Sequence, residues 1–159
     1  MNVKAARLPL LTGILLSLLC ACNNGSTYYS SHKHIEGSCW HRSDTVLLPI
    51  EHSNIHTAAA TDDTLQLYVG VRYTNNYQYE NLTVLAELTD DEGTPLWKDT
   101  VRLATSLSAN NGFCYREAFQ PTHSLRTPAE GSKYTLHVTH LMTLDPLEGI
   151  TDIMTFLRQ

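Results

Sequence analysis

A strict alternation of apolar and polar side chains over residues 64–73 limits what this chain can fold into more than any other feature. Successive side chains of an extended strand point to opposite faces, so such a segment buries one face and exposes the other. The apolar face carries Leu65, Leu67, Val69, Val71 and Tyr73. The other face carries Thr64, Gln66, Tyr68, Gly70 and Arg72. The segment is therefore predicted to be a half-buried β-strand.

The same two-residue period predicts further strands. Residues 82–88 and 97–103 flank a turn-forming cluster at 89–95, which predicts a hairpin. Further segments with this period, some of them short or weak, are residues 46–50, 112–119, 134–141 and 152–157. No stretch repeats apolar residues at helical spacing over a helical length. About seven strands with one-sided alternation favour an all-β fold, an antiparallel β-sandwich of immunoglobulin-like or jelly-roll kind.

The first residues have the layout of an export signal. Lys4 and Arg7 precede an uncharged, leucine-rich run over residues 8–19. As a helix this run would measure about 18 Å, whereas the hydrocarbon core of a bilayer is about 30 Å thick. The short run and its positive flank therefore indicate a secretory signal peptide rather than a membrane-spanning helix.

The export signal ends in Leu19-Cys20-Ala21-Cys22, which is similar to a bacterial lipobox. Cys20 is the poorer acceptor because the bulky Leu19 would directly precede it. We predict cleavage before Cys22 and acylation of this cysteine with chains such as palmitate, which anchors the protein to a membrane. The predicted organisation is a signal peptide over residues 1–21, a flexible lipidated tether over 22–37 and a β-sandwich domain over 38–159.

The charge of the mature chain limits its partners. Cleavage removes Lys4 and Arg7, so Lys+Arg falls from 11 to 9 against 16 Asp+Glu, and the formal net charge goes from −5 to −7. An acidic domain disfavours nucleic acid and anionic headgroups as partners, so membrane contact is expected through the lipid on Cys22. Asn23 follows Cys22 in place of the aspartate that retains lipoproteins at the inner membrane. The expected location is the periplasmic face of the outer membrane.

Two further cysteines, Cys39 and Cys114, remain in the mature chain. An oxidising periplasm permits a disulfide between them. Such a bridge would close a loop of about 75 residues and stabilise the fold by roughly 4 kcal/mol. Two separate thiols are the alternative, and the sequence leaves both open.

The chain has eight histidines but no recognisable metal-ligand pattern. His32 and His34 fall in the expected tether, while His137 and His140 are three apart on a predicted strand and so point to opposite faces. The paired Cys and His spacings of structural zinc sites do not occur. A Gly-x-Ser-x-Gly elbow and a Gly-rich phosphate loop are also missing. We therefore expect no catalytic site, no metal site and no cofactor.

Residues 72–82 form the most distinctive internal segment, with three Tyr, three Asn and one Arg between two strong strands. One interpretation is a hairpin loop whose Tyr rings cap the end of the sandwich. The other is a contact surface, because Tyr and Arg are frequent anchors of protein interfaces and Tyr rings also stack on sugars. The candidate contact residues are Arg72, Tyr77, Tyr79 and Asn81.

Several motifs occur in a fixed order along the chain. They are Cys22, then Trp40 ahead of the first predicted strand, Arg72 with Asn75 and the segment Tyr77-Gln78-Tyr79-Glu80-Asn81-Leu82, Asp99-Thr100, His140-Leu141-Met142, and Leu147-Glu148-Gly149-Ile150-Thr151-Asp152. Their combination resembles the gliding-motility lipoprotein family of Bacteroidetes known as GldH. Gln78 stands where proline is common in that family.

The resemblance covers roughly residues 40–159. It implies a non-enzymatic outer-membrane lipoprotein whose partners are envelope proteins of the gliding apparatus, which is linked to type IX secretion. The family also occurs in Bacteroidetes that do not glide, where a general envelope role is expected. The alternative function, taken from the residues alone, is a β-sandwich that binds glycan or peptidoglycan fragments.

Overall fold

The computed structural model describes residues 27–55, 64–106, 115–126 and 128–159. Within these ranges the regular structure is β, apart from two short 3-10 turns at Glu36–Ser38 and His52–Asn54. The strands are β1 (Thr27–His34), β2 (Cys39–Trp40), β3 (Val46–Glu51), β4 (Thr64–Tyr73), β5 (Asn81–Thr89), β6 (Pro95–Ala104), β7 (Arg116–Arg126), β8 (Lys133–His140), β9 (Leu147–Glu148) and β10 (Ile150–Arg158).

Two four-stranded antiparallel sheets form the body of the molecule. The first sheet has the strand order β1-β10-β4-β7, and the second sheet has the order β3-β8-β5-β6. Strands β2 and β9 pair in a separate two-stranded ribbon. The predicted antiparallel β-sandwich is therefore confirmed. The predicted hairpin is confirmed as well, since β5 and β6 pair along their length around a turn at Asp90–Thr94.

The hydrophobic core lies between the two sheets, on the faces that the alternation predicted. Leu65, Leu67, Val69 and Val71 of β4 are fully buried. Facing strands of the second sheet contribute further fully buried side chains: Leu48, Ile50, Leu82, Val84, Ala86, Leu88, Leu136 and Val138. Full burial of one such aliphatic side chain contributes about 1.5–3 kcal/mol relative to exposure, so these faces hold the two sheets together.

The two open edges of the sandwich are joined by side chains. On one edge the Tyr29 hydroxyl of β1 donates a hydrogen bond to the Pro49 carbonyl of β3. On the other edge the Trp97 ring of β6 stacks on the His123 ring of β7, with 5.3 Å between ring centroids. Both contacts connect strands of different sheets, so each limits separation of the sheets at an edge.

The expected flexible tether over residues 22–37 is wrong from Thr27 onward. Thr27–His34 is strand β1, which pairs antiparallel with β10, and Glu36–Ser38 is a 3-10 turn. The strand was missed because its side chains are mostly polar, and Tyr29 is the one residue of β1 with a described side chain that is buried in the core. Its backbone nevertheless completes the first sheet, and pairing of this kind leaves no apolar period in the sequence. The sandwich therefore begins at Thr27 rather than at residue 38.

The sandwich has two distinct ends. At the Tyr73 end, strands β1, β4, β6 and β8 finish and strands β3, β5, β7 and β10 begin. At the opposite end, here called the Thr27 end, strands β1, β4, β6 and β8 begin and strands β3, β5, β7 and β10 finish. The loop after Tyr73 and the β8–β10 connection lie at the Tyr73 end, whereas the turns at residues 90–94 and 129–132 lie at the Thr27 end.

We predict that β1 is required for folding. A chain of residues 38–159 loses Tyr29 from the core and the ladder to β10, so its free energy of unfolding should fall by more than about 3 kcal/mol relative to a chain of residues 27–159. Urea unfolding followed by Trp40 and Trp97 fluorescence measures the difference. Equal stabilities of the two chains would show that residues 27–37 are a tether after all.

Candidate functional site

The loop at residues 74–80 crosses from one sheet to the other. It leaves β4 in the first sheet and enters β5 in the second, so the predicted hairpin between these strands is wrong. The physical reason is pairing, because β4 lies between β10 and β7 while β5 lies between β8 and β6. The crossing lays the Tyr-rich segment over the Tyr73 end of the core.

Tyr77 closes this end of the core. Its side chain is 3% exposed, and its hydroxyl donates a 2.8 Å hydrogen bond to the Asn81 carbonyl. Its ring lies 5.8 Å from the Tyr73 ring and 5.4 Å from the Tyr79 ring, measured between centroids. Burial raises the pKa of Tyr77 well above its usual value, so the phenol stays protonated. The capping interpretation holds for this ring, and its predicted role as a partner contact is wrong because the ring is enclosed.

The other predicted contact residues are more accessible. Tyr79 is 38% exposed, and its carbonyl accepts a 2.5 Å hydrogen bond from the Thr105 hydroxyl. Arg72 and Asn81 are half-buried, and the Asn81 carbonyl is engaged by Tyr77. The loop therefore presents one exposed aromatic ring, from Tyr79, on a backbone that Thr105, the residue after β6, holds by hydrogen bonds.

Gly149 allows the loop to seat on the sandwich. It has a φ of +85°, and a Cβ placed there would lie 2.4 Å from the Tyr77 nitrogen. The Gly149 carbonyl accepts a 2.8 Å hydrogen bond from the Thr74 nitrogen, and the Gly149 nitrogen donates one to Ser38. Leu147 and Ile150 beside it are fully buried. The Leu-x-Gly-Ile-x-Asp motif thus holds three separate segments together at this end.

A row of charged side chains crosses the first sheet near the Tyr73 end. His34, Asp152, Arg72 and Glu117 are register neighbours on the four successive strands. The Arg72 guanidinium lies 2.7 Å from Glu117 and 3.6 Å from Asp152, and His34 Nδ1 lies 3.3 Å from the same Asp152 carboxylate. The hydrogen bond to Glu117 raises the pKa of Arg72. The row links all four strands, although its exposed pairs each contribute little.

From the sequence, Arg72 was the one member of this row predicted to be a contact residue. Asp152 was the residue that could have revealed the row. It is an acid at a buried position in β10, a strand that is otherwise almost entirely buried, and a buried acid needs a partner. His34 and Glu117 could not be assigned from the sequence, since their place in the row depends on which strands pair.

His140, the last residue of β8, lies in the core against the Trp40 ring. It is fully buried, and neither ring nitrogen has a hydrogen-bond partner among the described residues. Its ring packs edge-on against Trp40 at 5.1 Å between centroids, and its Nε2 lies 3.7 Å from the Asp145 carboxylate. Burial lowers the pKa of His140, an effect that Asp145 partly offsets and Arg42 reinforces. The ring therefore stays neutral near neutral pH. Its orientation opposite to the half-buried His137 is as predicted.

Of the three cysteines in the predicted mature chain, Cys39 lies within the described residues. Cys39 is half-buried in β2, opposite Glu148 of β9. Cys22 and Cys114 lie outside the described residues. Lipidation of Cys22 and a disulfide between Cys39 and Cys114 therefore stay predictions.

An open groove of about 800 Å³ separates the ends of β1 and β3 beside Trp40. Its walls mix charged and apolar side chains, including Lys33, Glu36, Asp44 and Leu47. In the described ranges, no group of three or more His, Cys, Asp or Glu side chains is arranged to hold a metal ion. No helix in those ranges is long and apolar enough to cross a bilayer.

Comparisons with known proteins identify a family for this fold. The family model described as GldH lipoprotein matches residues 27–155, from the first residue of β1 into β10. No curated protein sequence gives a significant match. Among solved structures, the chain is similar to the one titled "Structure of Eiger TNF from S. frugiperda", at 12% identity and a TM-score of 0.35, over 82% of this chain and 92% of that chain.

We predict that Gly149→Ala lowers the free energy of unfolding by more than about 3 kcal/mol, because it combines a strained φ with a clash against the Tyr77 backbone. Gly131→Ala is the matched control, since Gly131 has a φ of +83° but open space around its Cβ position. The control should lose only the φ strain, about 1–2 kcal/mol. Urea unfolding of both variants measures the difference, and equal losses would contradict the seating role of Gly149.

We also predict a pH dependence that arises from His140. Its folded pKa is below the unfolded value of about 6.5, so the unfolded chain binds more protons as the pH falls. The stability it contributes is present above that pH and is lost on acidification, by at most about 1.4 kcal/mol per pH unit. Unfolding measured at about pH 7.5 and about pH 5.5 should show a smaller loss for His140→Phe than for the unaltered chain. His32→Gln, at an exposed position, should leave the loss unchanged, and a slope unaffected by His140→Phe would refute the assignment.

Proposed function

Because this chain belongs to the GldH lipoprotein family, we propose that it is an outer-membrane lipoprotein that acts as a non-enzymatic component of the gliding and type IX secretion apparatus. The observation that carries the proposal is the family match over residues 27–155, which includes the whole sandwich except the end of β10. The motifs within residues 40–152 and the lipobox that ends at Cys22 are both features that this chain shares with the gliding-motility lipoprotein family.

The anchor in this proposal is Cys22. The lipobox Leu19-Cys20-Ala21-Cys22 precedes the matched region directly, so a lipid on Cys22 would stand immediately before β1. The proposed site is the periplasmic face of the outer membrane, because Asn23 follows the acceptor cysteine. Several acyl chains on one residue hold a protein firmly to a bilayer, whereas one chain is marginal.

The family motifs support a scaffold rather than an enzyme. Arg72 and Asp152 pair with each other and with neighbouring strands, Tyr77 closes the core, and Gly149 seats a loop. Each of these residues holds strands or loops of the sandwich in place. Residues of this kind make the sandwich rigid, and a rigid sandwich is suited to hold a contact surface in a fixed shape for a partner protein.

The glycan-binding alternative was based on paired rings at Tyr77 and Tyr79. Tyr77 is enclosed, so the loop offers only the Tyr79 ring to a ligand. Stacking on an extended sugar chain uses a platform of accessible aromatic rings, which this loop does not provide. We therefore propose the protein-scaffold function alone.

The test uses a deletion strain complemented with variants of the full chain. Cys22→Ser should leave the protein unlipidated by mass spectrometry, release it from the outer-membrane fraction and fail to restore type IX secretion, and gliding where the host glides. Cys20→Ser is the matched control, because it alters the neighbouring cysteine and keeps the acceptor. It should be lipidated and restore both functions. A Cys22→Ser strain with normal secretion, or a deletion without effect on secretion or gliding, would disprove the proposal.

A further inference from the structure

The place where the chain enters β1 limits how the sandwich can lie on a membrane. This inference rests on the proposed lipid at Cys22. Since β1 begins at Thr27, five peptide units separate the lipid from the folded domain. Fully extended chain spans at most about 3.6 Å per residue, so Thr27 lies within about 18 Å of the acylated residue. A tether that ran to residue 37 would have reached about three times as far.

The opposite end of the sandwich is held away from the lipid. Strands β4 and β6 each have 10 residues, and a strand rises about 3.3 Å per residue, so the sandwich is about 30 Å long. Thr27 is at one end of that length and Tyr73 is at the other. With the sandwich upright on its tether, the Tyr73 end faces the periplasm.

The exposed apolar side chains are unequally divided between the ends. Those in the loops and strand starts of the Tyr73 end are Tyr79, Tyr115, Leu141 and Leu144, exposed by 38%, 58%, 46% and 53%. Leu47, the second residue of β3, adds a fifth, at 51%. Among the described residues, the Thr27 end has Leu96 as its large exposed apolar side chain. This unequal distribution favours the Tyr73 end over the Thr27 end as an interaction surface.

The Thr27 end suits the aqueous layer next to a bilayer. Its two turns carry the acidic side chains of Asp90, Asp91, Glu92 and Glu130. Carboxylates are repelled by anionic headgroups and remain hydrated beside neutral ones. The end near the membrane therefore needs no partner other than water.

The Tyr73 end has an excess of acidic groups. Its acids without an ion pair in the described ranges are Glu36, Asp44, Glu80 and Glu148, all exposed. The cations at this end are Lys33, Arg42, Arg72, Arg102 and Arg116. Arg72 pairs with Glu117 and Asp152, while Arg42 and Arg116 donate hydrogen bonds to backbone carbonyls and keep their charge. These five cations stand against seven carboxylates, the four above together with Glu117, Asp145 and Asp152, so the Tyr73 end has a net negative charge.

We infer that the Tyr73 end is the docking surface for an envelope protein whose contact surface is apolar and basic. Lipid is disfavoured as the occupant because the tether enters at the opposite end of the sandwich and because the excess carboxylates of the Tyr73 end are repelled by anionic headgroups. A second copy is disfavoured because two acidic ends repel each other when they face symmetrically. The apolar side chains supply the buried contact, and the acidic rim attracts a partner of opposite charge and fixes its orientation.

The orientation is tested with the full lipidated protein in nanodiscs that contain a paramagnetic headgroup lipid. Mass spectrometry first verifies the lipid on Cys22, so a failed anchor is separated from a failed orientation. Amide signals of Gly93 and Gly131 at the Thr27 end should broaden, and those of Gly37 and Gly149 at the Tyr73 end should not. Equal broadening at both ends would overturn the inference. A long Gly-Ser insertion after Gly25 should remove the difference, and an unchanged pattern would also count against it.

The docking surface is tested by photo-crosslinking in native envelopes, with a photoreactive residue at Tyr79, at Leu144 or at Leu96. One and the same protein should be captured from Tyr79 and Leu144 and not from Leu96. Leu144→Glu and Glu148→Lys should each reduce that capture by about tenfold or more, the size of a typical interface anchor. The matched controls Leu96→Glu and Glu130→Lys should leave it unchanged. Capture of lipid or of a second copy from Tyr79, or equal effects at the two ends, would overturn the inference.

Discussion

The antiparallel pairing of β10 between β1 and β4 is the interaction on which the rest of the molecule depends. β10 is buried on nearly all its positions because it has a strand on each side and the second sheet across the core. Its position brings β1, the first described strand of the chain, into the first sheet. It also fixes Asp152 beside His34 and Arg72, and Gly149 beneath the loop at residues 74–80. The last strand therefore organises both the edge of the sheet and the Tyr73 end.

The distinctive residues of this chain mainly serve that organisation. Tyr77, Gly149 and His140 are buried, and each packs against a segment that is distant in sequence. Their conformations follow from packing, so they offer little to a ligand. In the proposed arrangement, contacts with partners fall to exposed side chains at the Tyr73 end, both within the motifs, such as Tyr79, and outside them, such as Leu144 and Tyr115. A lipoprotein scaffold of this kind separates the residues that form its shape from the residues that its partners touch.

The short connection between Cys22 and β1 has a mechanical consequence. A tether of a few residues gives the domain little freedom to turn over, whereas a long one would allow any face to meet the membrane. The pairing of β1 with β10 converts most of an expected linker into folded sheet. With the proposed lipid on Cys22, the same pairing sets how far the sandwich can move from the membrane.

The sequence by itself determined the buried faces of β4, β5 and β8 and the hairpin of β5 and β6, because alternation and turn chemistry are local properties. It did not determine β1, whose side chains are mostly polar, nor the crossing of the loop after Tyr73 between the two sheets. The row from His34 to Glu117 and the enclosure of Tyr77 were likewise decided only by the tertiary structure. These features depend on which strands pair across long separations in sequence, and backbone pairing leaves no pattern in the side chains that a local period could reveal.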